Sequence, residues 1–233
     1  MNAEDVSALY WLVSNLVCRI RKTNAKCAIL KKIENKRRWR FMEKSPLTTC
    51  LHIYYGDGKG KTTAAMGLVL RAVGAGIRPC IVQFLKTENS SERRALELLP
   101  ENSMHLVPLP TSIKFVFQMD EKEKQEAASL CCHLLEEGIQ LYQKEKGGLL
   151  VLDEVLDAVD TGLLPEKMLL KALHSLGPRR AGCKGNENIS GDVVLTGRNP
   201  SSFLLELADY ITEMKALRHP YNEGLPARLG IEY

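Results

Sequence analysis

The chain has 233 residues, 45% of them hydrophobic and 26% charged, enough for one α/β domain with a proper core and an appendage. No apolar run reaches membrane-spanning length, which leaves no transmembrane helix, and the seven cysteines form no Cys-x-x-Cys pair and have no histidine at zinc-ligand spacing, so buried or free thiols are the better reading. The net charge of +4 is uneven: residues 1–41 carry ten Lys or Arg against three acids, leaving 22 against 25 for the remainder, so the body is mildly acidic and a poor nucleic-acid binder.

Residues 1–41 read as a basic, poorly ordered N-terminal extension separate from a domain spanning 42–233. Val6–Cys18 is apolar, but acids precede it and positive charge follows it, the wrong order for a secretory signal. With no signal, no membrane segment and free thiols, the chain is expected in the reducing cytoplasm.

From Leu51 onward strand-like and helix-like runs alternate, which predicts a three-layer α/β fold with a mainly parallel sheet. Cys50–Tyr55 is the first strand, and Ala64–Val73 is a helix with Gly74 and Gly76 as C-terminal signals. Pro79–Leu85 is the second strand. A long helix follows over Glu121–Lys146, with Asp120 as N-cap, Gly147 as terminator and a stripe of Ala127, Leu130, Leu134, Ile139 and Tyr142. Cys131, Cys132 and His133 on that helix are read as packing residues rather than ligands. Leu149–Glu154 is a buried strand. Pro165 opens a helix closed by Gly177, and Gly182–Gly191 is a surface loop. Asp192–Thr196 is a strand, Asn199-Pro200 caps a helix over Ser201–Ala208, and Tyr210–Leu217 is the last strand.

Two of these segments carry chemistry. Between the first strand and first helix lies Gly56-Asp57-Gly58-Lys59-Gly60-Lys61-Thr62-Thr63, a glycine loop whose backbone N–H groups can converge on phosphate oxygens at a helix N-terminus. Lys61 supplies a point charge for the terminal phosphates and the Thr62 hydroxyl a magnesium ligand. The usual phosphate-loop pattern has a Gly five residues before Gly60, where this chain has Tyr55. The second segment is the strand ending in Asp153-Glu154, two acids able to hold magnesium or polarise a bound group. Those acids suit a hydrolase that orients water, and equally an enzyme whose nucleophile arrives with its substrate. No Ser-His-Asp, Cys-His or kinase-type catalytic arrangement is recognisable. A phosphate-loop ATPase or kinase cleaving the terminal phosphate is therefore one reading. A nucleotide-dependent regulator using the basic N-terminal segment on nucleic acid is another.

Five blocks in order resemble the phosphate-loop ATP:corrinoid adenosyltransferases: Gly56–Ala65, Val82–Lys86, Val151–Val155, Val194–Arg198, and a tail comprising Ala208–Met214, His219–Tyr221, Gly224 and Gly230–Tyr233. The likeness runs from about Leu51 to the last residue and leaves out residues 1–41. It implies a RecA-like P-loop NTPase fold and a transfer in which a corrinoid reduced to cobalt(I) attacks the ribose 5′ carbon of ATP and triphosphate leaves. The metal nucleophile spares the protein a Ser, Cys or general base, so the protein's work is placement and charge neutralisation. By matching position, Lys61, Thr62 and Glu154 are the catalytic residues. Gly56 to Thr63 bind ATP, Lys59 adding charge for a long triphosphate, and Thr62 and Glu154 hold magnesium, with Asp153 the alternative acid. The corrinoid is either complete cobalamin or a biosynthetic intermediate such as cobyrinic acid a,c-diamide. A flavoprotein or other reductant as electron donor and a homodimer are also implied, with no nucleic-acid or membrane partner. The chain departs from the family pattern at Tyr55, Asp57, Thr87 and Arg218 and in the length of the Gly182–Gly191 loop. Asp57 places a carboxylate beside phosphates, which repels them unless it faces away or meets a cation.

Overall fold

The computed structural model describes residues 49–176 and 189–231. The expected extension 1–41, the helix-closing Gly177, most of the loop at 182–191, and Glu232 and Tyr233 lie outside the described residues. Among the described residues six strands form one sheet in the order β3-β2-β4-β5-β1-β6: β1 Thr49–Tyr55, β2 Cys80–Gln83, β3 His105–Leu106, β4 Gly147–Asp153, β5 Ser190–Gly197 and β6 Tyr210–Glu213. Every pairing is parallel. The expected mainly parallel, three-layer α/β architecture is what the chain adopts.

The layers follow from strand periodicity. In β4, Leu149 and Val151 face one side with α1 (Lys61–Gly74) and α2 (Ser91–Glu97), where Ala65, Met66, Val69 and Leu96 pack with Ile81 and Val194. Leu150 and Leu152 face the other side with α3 (Glu121–Lys144), α4 (Val155–Asp160), α5 (Glu166–Ser175) and α6 (Ser202–Leu207). Both faces of β4 are thus covered, which explains its unbroken apolar run. Burying each such Leu or Val contributes about 1.5–3 kcal/mol. Gly138 lets α3 lie close on the sheet, since a Cβ there would meet Val82 Cγ2 at 2.3 Å.

Several boundaries differ from the sequence expectation. β2 stops at Gln83: the Phe84 N–H still bonds the Asp153 carbonyl at 2.8 Å, and Leu85 then leaves the strand in a left-handed conformation with φ 54°. The long helix ends at Lys144, and Gly147, expected as its terminator, is the first residue of β4 with φ 108°. A Cβ on Gly147 would stand 1.9 Å from the Ser190 carbonyl oxygen, so the glycine serves strand pairing. β5 begins at Ser190, inside the segment read as a surface loop. Ser201, not Asn199-Pro200, caps α6 by accepting the Leu204 N–H at 3.3 Å. The Asp120 cap is present as a full capping box with Glu123. On α3 the packing reading holds for buried Cys131, while His133 points outward toward Glu137. α2, β3 and α4 went unforeseen; each is short, with little room for a periodic signal.

The last strand is four residues long instead of eight. At Met214 the chain leaves the sheet: its N–H bonds the Tyr55 carbonyl at 2.7 Å and its own carbonyl turns to the glycine loop. Among the described residues no helix is long and apolar enough to cross a membrane.

Candidate nucleotide and metal site

All six strands run the same way, so the residues following β1, β2, β4, β5 and β6 gather at one edge of the sheet. The glycine loop leaves β1 there. Gly56 and Gly60 have φ of 116° and 113°, values open to glycine but strained for other residues. The Gly56 N–H donates to Gly197 O at 3.2 Å and the Gly58 N–H to Met214 O at 2.7 Å. Two amides expected to face phosphate therefore hold the loop in place instead. The first intrahelical bond of α1 runs from Ala64 N–H to Gly60 O, so the amides of Lys61, Thr62 and Thr63 have no intrahelical partner and form the anion-binding end.

The Lys61 ammonium lies on its own loop, donating to Gly58 O at 2.8 Å. Burial and then the neighbouring Arg198 charge hold its pKa below the ordinary lysine value. Asp57 accepts a hydrogen bond from the Ala216 N–H at 3.1 Å. This carboxylate, beside the phosphate-binding loop, thus ties the loop to the segment beyond β6.

Asp153 is fully buried and takes four donors: Thr62 Oγ1 at 2.9 Å and Thr196 Oγ1 at 2.7 Å on one oxygen, Lys86 Nζ at 2.8 Å and Gln83 Nε2 at 3.3 Å on the other. Thr196 Oγ1 in turn accepts the Glu154 N–H at 2.9 Å. Glu154 is left-handed, φ 61°, an uncommon conformation for a residue with a side chain, and it turns the chain from β4 into α4. Its carboxylate stays 34% exposed and borders the cleft, whereas Asp153 does not reach it. Burial pushes the Glu154 carboxyl up to about 7 against the opposing charge of Lys86.

Thr62 and the adjacent acids Asp153 and Glu154, 91 residues further on, are therefore brought to one place. The cleft beside them holds about 460 Å³ and is also bordered by Lys61, Asp157 and Arg198, with Pro220, Leu225 and Ile231 of the C-terminal segment as an apolar wall. Asp157 and Arg198 were not foreseen as site residues. The Asp157 carboxylate accepts the Arg198 N–H at 3.1 Å, and only a glycine at 197 permits this, since a Cβ there would stand 2.4 Å from Asp157 Oδ2. Lys86 was also given no role. A lysine just past a strand that ends at the ligand edge was the available signal.

The donor set fits magnesium. Thr62 and Glu154 offer hard oxygens, and among the described residues no three His, Cys, Asp or Glu form an all-protein cage. Magnesium characteristically takes one or two protein oxygens and completes its shell with phosphates and water.

Residues 48–233 match the family described as ATP:corrinoid adenosyltransferase BtuR/CobO/CobP. The corrinoid adenosyltransferase CobA of Salmonella typhimurium is 31% identical over 182 residues, 78% of this chain and 84% of that protein. A corrinoid adenosyltransferase of Escherichia coli K12 is 29% identical over the same shares. One of Pseudomonas aeruginosa is 30% identical over 78% of this chain and 83% of that protein. Among solved structures, the Aeropyrum pernix ORC2 protein in its ADP form matches at 14% identity and a TM-score of 0.36, over 72% of this chain and 43% of that one. The fold assignment rests on the strand order and glycine loop.

Proposed function

The chain belongs to the ATP:corrinoid adenosyltransferase family, enzymes that move the adenosyl group of ATP onto a corrinoid, and on that footing we propose how its residues divide the work. The triphosphate lies along the glycine loop, with the amides of Lys61 to Thr63, the Lys61 ammonium and Lys59 as its positive surroundings. Arg198, which borders the same cleft, adds a further cation. Thr62 Oγ1 and Glu154 are the residues that would hold magnesium at this site. Asp153, saturated by four donors, acts through Thr62 by fixing its hydroxyl.

In this reading the reduced corrinoid supplies the electron pair for the new cobalt–carbon bond, the C5′–O bond breaks, and its electrons leave with triphosphate. Bound magnesium supplies neutralising charge for that leaving group. Every other demand is positional, which agrees with a site built from cations, amides and oriented oxygens. The observation that carries the reading is the 2.9 Å bond from Thr62 Oγ1 to Asp153 Oδ1, which joins glycine loop and acidic strand in one site.

The catalytic unit is the segment 42–233, and residues 1–41 are an extension without a part in the chemistry; the family match beginning at residue 48 supports this. A cytoplasmic setting is supported by the unpaired state of Cys50, Cys80, Cys131 and Cys132. Cobalt(I) calls for an electron donor, and the family resemblance implies a flavoprotein or other reductant in that role and a homodimer as the assembly.

The residue assignment is tested by Thr62→Val, which keeps the side-chain shape and deletes the hydroxyl. ATP affinity in the presence of magnesium should fall to the value measured without it. Retained magnesium enhancement would contradict the assignment.

A further inference from the structure

Lys86 occupies a position that the transfer chemistry leaves unexplained. Its ammonium lies 2.8 Å from Asp153 Oδ2, 3.1 Å from Glu92 Oε1, 3.5 Å from Glu154 Oε1 and 3.4 Å from Thr62 Oγ1. Those oxygens include both groups assigned above to magnesium. The placement is built in: the left-handed turn at Leu85, directly after the Phe84–Asp153 backbone bond, throws residue 86 back across the end of β4. Glu92 is fixed from the other side by α2, whose N-cap Ser90 accepts the Arg93 N–H. Only 16% of the Lys86 side chain is exposed.

We propose that Lys86 is the counter-cation of the nucleotide-free site, and that it makes metal binding at Thr62 and Glu154 conditional on nucleotide. The inference rests on the reading that those two residues hold magnesium. The carboxylates of Asp153 and Glu92 already outnumber the single ammonium and ionised Glu154 adds a third, so without Lys86 the site would draw in a dication. A dication and an ammonium cannot share Thr62 and Glu154 at contact distance without strong repulsion. Lys86 therefore excludes free metal while the cleft lacks phosphates. When the metal arrives on a triphosphate, the added negative charge outweighs that repulsion. Lys86 then gives up Thr62 and Glu154 and keeps Asp153 and Glu92, the two partners set back from the cleft. The consequence is ordered entry, with metal and nucleotide arriving together and unproductive magnesium kept out.

The experiment is a Mn(II) titration followed by electron paramagnetic resonance, with and without ATP and with corrinoid omitted so that ATP is not consumed. Wild type should bind Mn(II) about tenfold or more tightly with ATP than without it. Lys86→Met should raise the nucleotide-free affinity about tenfold, while Lys86→Arg, which keeps the charge, should behave as wild type. Circular dichroism checks folding, and Lys86→Gln, which keeps a donor for buried Asp153, replaces Lys86→Met if the latter unfolds. If the folded neutral variant binds Mn(II) without nucleotide no better than wild type, while ATP still recruits the metal, the Lys86 proposal is overturned and the metal site stands. If ATP recruits no Mn(II) to wild type, the metal site itself fails, and the proposal with it.

Discussion

Gly58 and Met214 meet backbone to backbone: the Gly58 N–H donates to Met214 O at 2.7 Å, and a Cβ on Gly58 would stand only 2.6 Å from that same oxygen. The end of β6 is thus the outer support of the glycine loop, a relation between residues at opposite ends of the domain.

Gly58→Ala should push the loop off this support. The clash is with backbone, which cannot rotate away, so ATP affinity should drop about tenfold or more and the thermal midpoint should fall by a few degrees. Calorimetric ATP binding alongside a thermal melt checks both. Unchanged affinity would show that the β6 contact does not shape the loop.

Lys61→Ala removes the ammonium at the triphosphate while leaving the α1 core residues Ala65, Met66 and Val69 untouched. Adenosyl transfer should fall about a hundredfold or more with the melting temperature nearly unchanged. Turnover within a few-fold of wild type would remove Lys61 from the site.

Glu154 links pH to metal. Its carboxyl is pushed up to about 7, chiefly by burial, so the folded protein keeps a proton that the unfolded chain releases near the ordinary value of 4.5. Stability of the nucleotide-free protein from this group should therefore fall as pH rises between about 4.5 and about 7. Metal needs the carboxylate, so the magnesium concentration for half-maximal ATP binding should rise as pH drops through about 7. Glu154→Gln should flatten both dependences and raise the magnesium requirement throughout. Melts and magnesium titrations between about pH 6 and about pH 8 measure this; an unchanged magnesium requirement in Glu154→Gln would remove Glu154 from the metal site.

A protein beginning at Met42 should fold and keep its catalytic rate, since every site residue named above lies after it. Trp11 and Trp39, the two tryptophans of the chain, are lost in that deletion, so unfolding must be followed by circular dichroism or calorimetry. A large loss of turnover or thermal midpoint would make residues 1–41 a functional arm.

The parts of the site legible in sequence were those written locally. Gly56 to Thr63 and the Leu149–Glu154 strand each announce themselves within ten residues, because loop curvature and strand burial constrain neighbouring positions directly. The parts that were not legible depend on which strands lie side by side. Asp57 looked like a misplaced charge because its partner Ala216 lies 159 residues away, past the end of β6. Lys86 reaches Asp153 across 67 residues only because β2 and β4 are adjacent and Leu85 turns left-handed. Gly197 reads as part of a motif, yet its reason, room for the Asp157 carboxylate, appears only when α4 is packed on β5.

The most direct test of the account is the product balance of the reaction itself. The protein is incubated with ATP, magnesium and chemically reduced cobalamin, the cobalt–carbon bond is followed by absorbance, and the phosphate products are separated. The account predicts one intact triphosphate released for each adenosylated corrinoid, with Lys61→Ala folded but releasing it about a hundredfold or more slowly. ADP and inorganic phosphate formed without any dependence on the corrinoid would contradict it, and would make Glu154 the water-orienting acid of an ATPase.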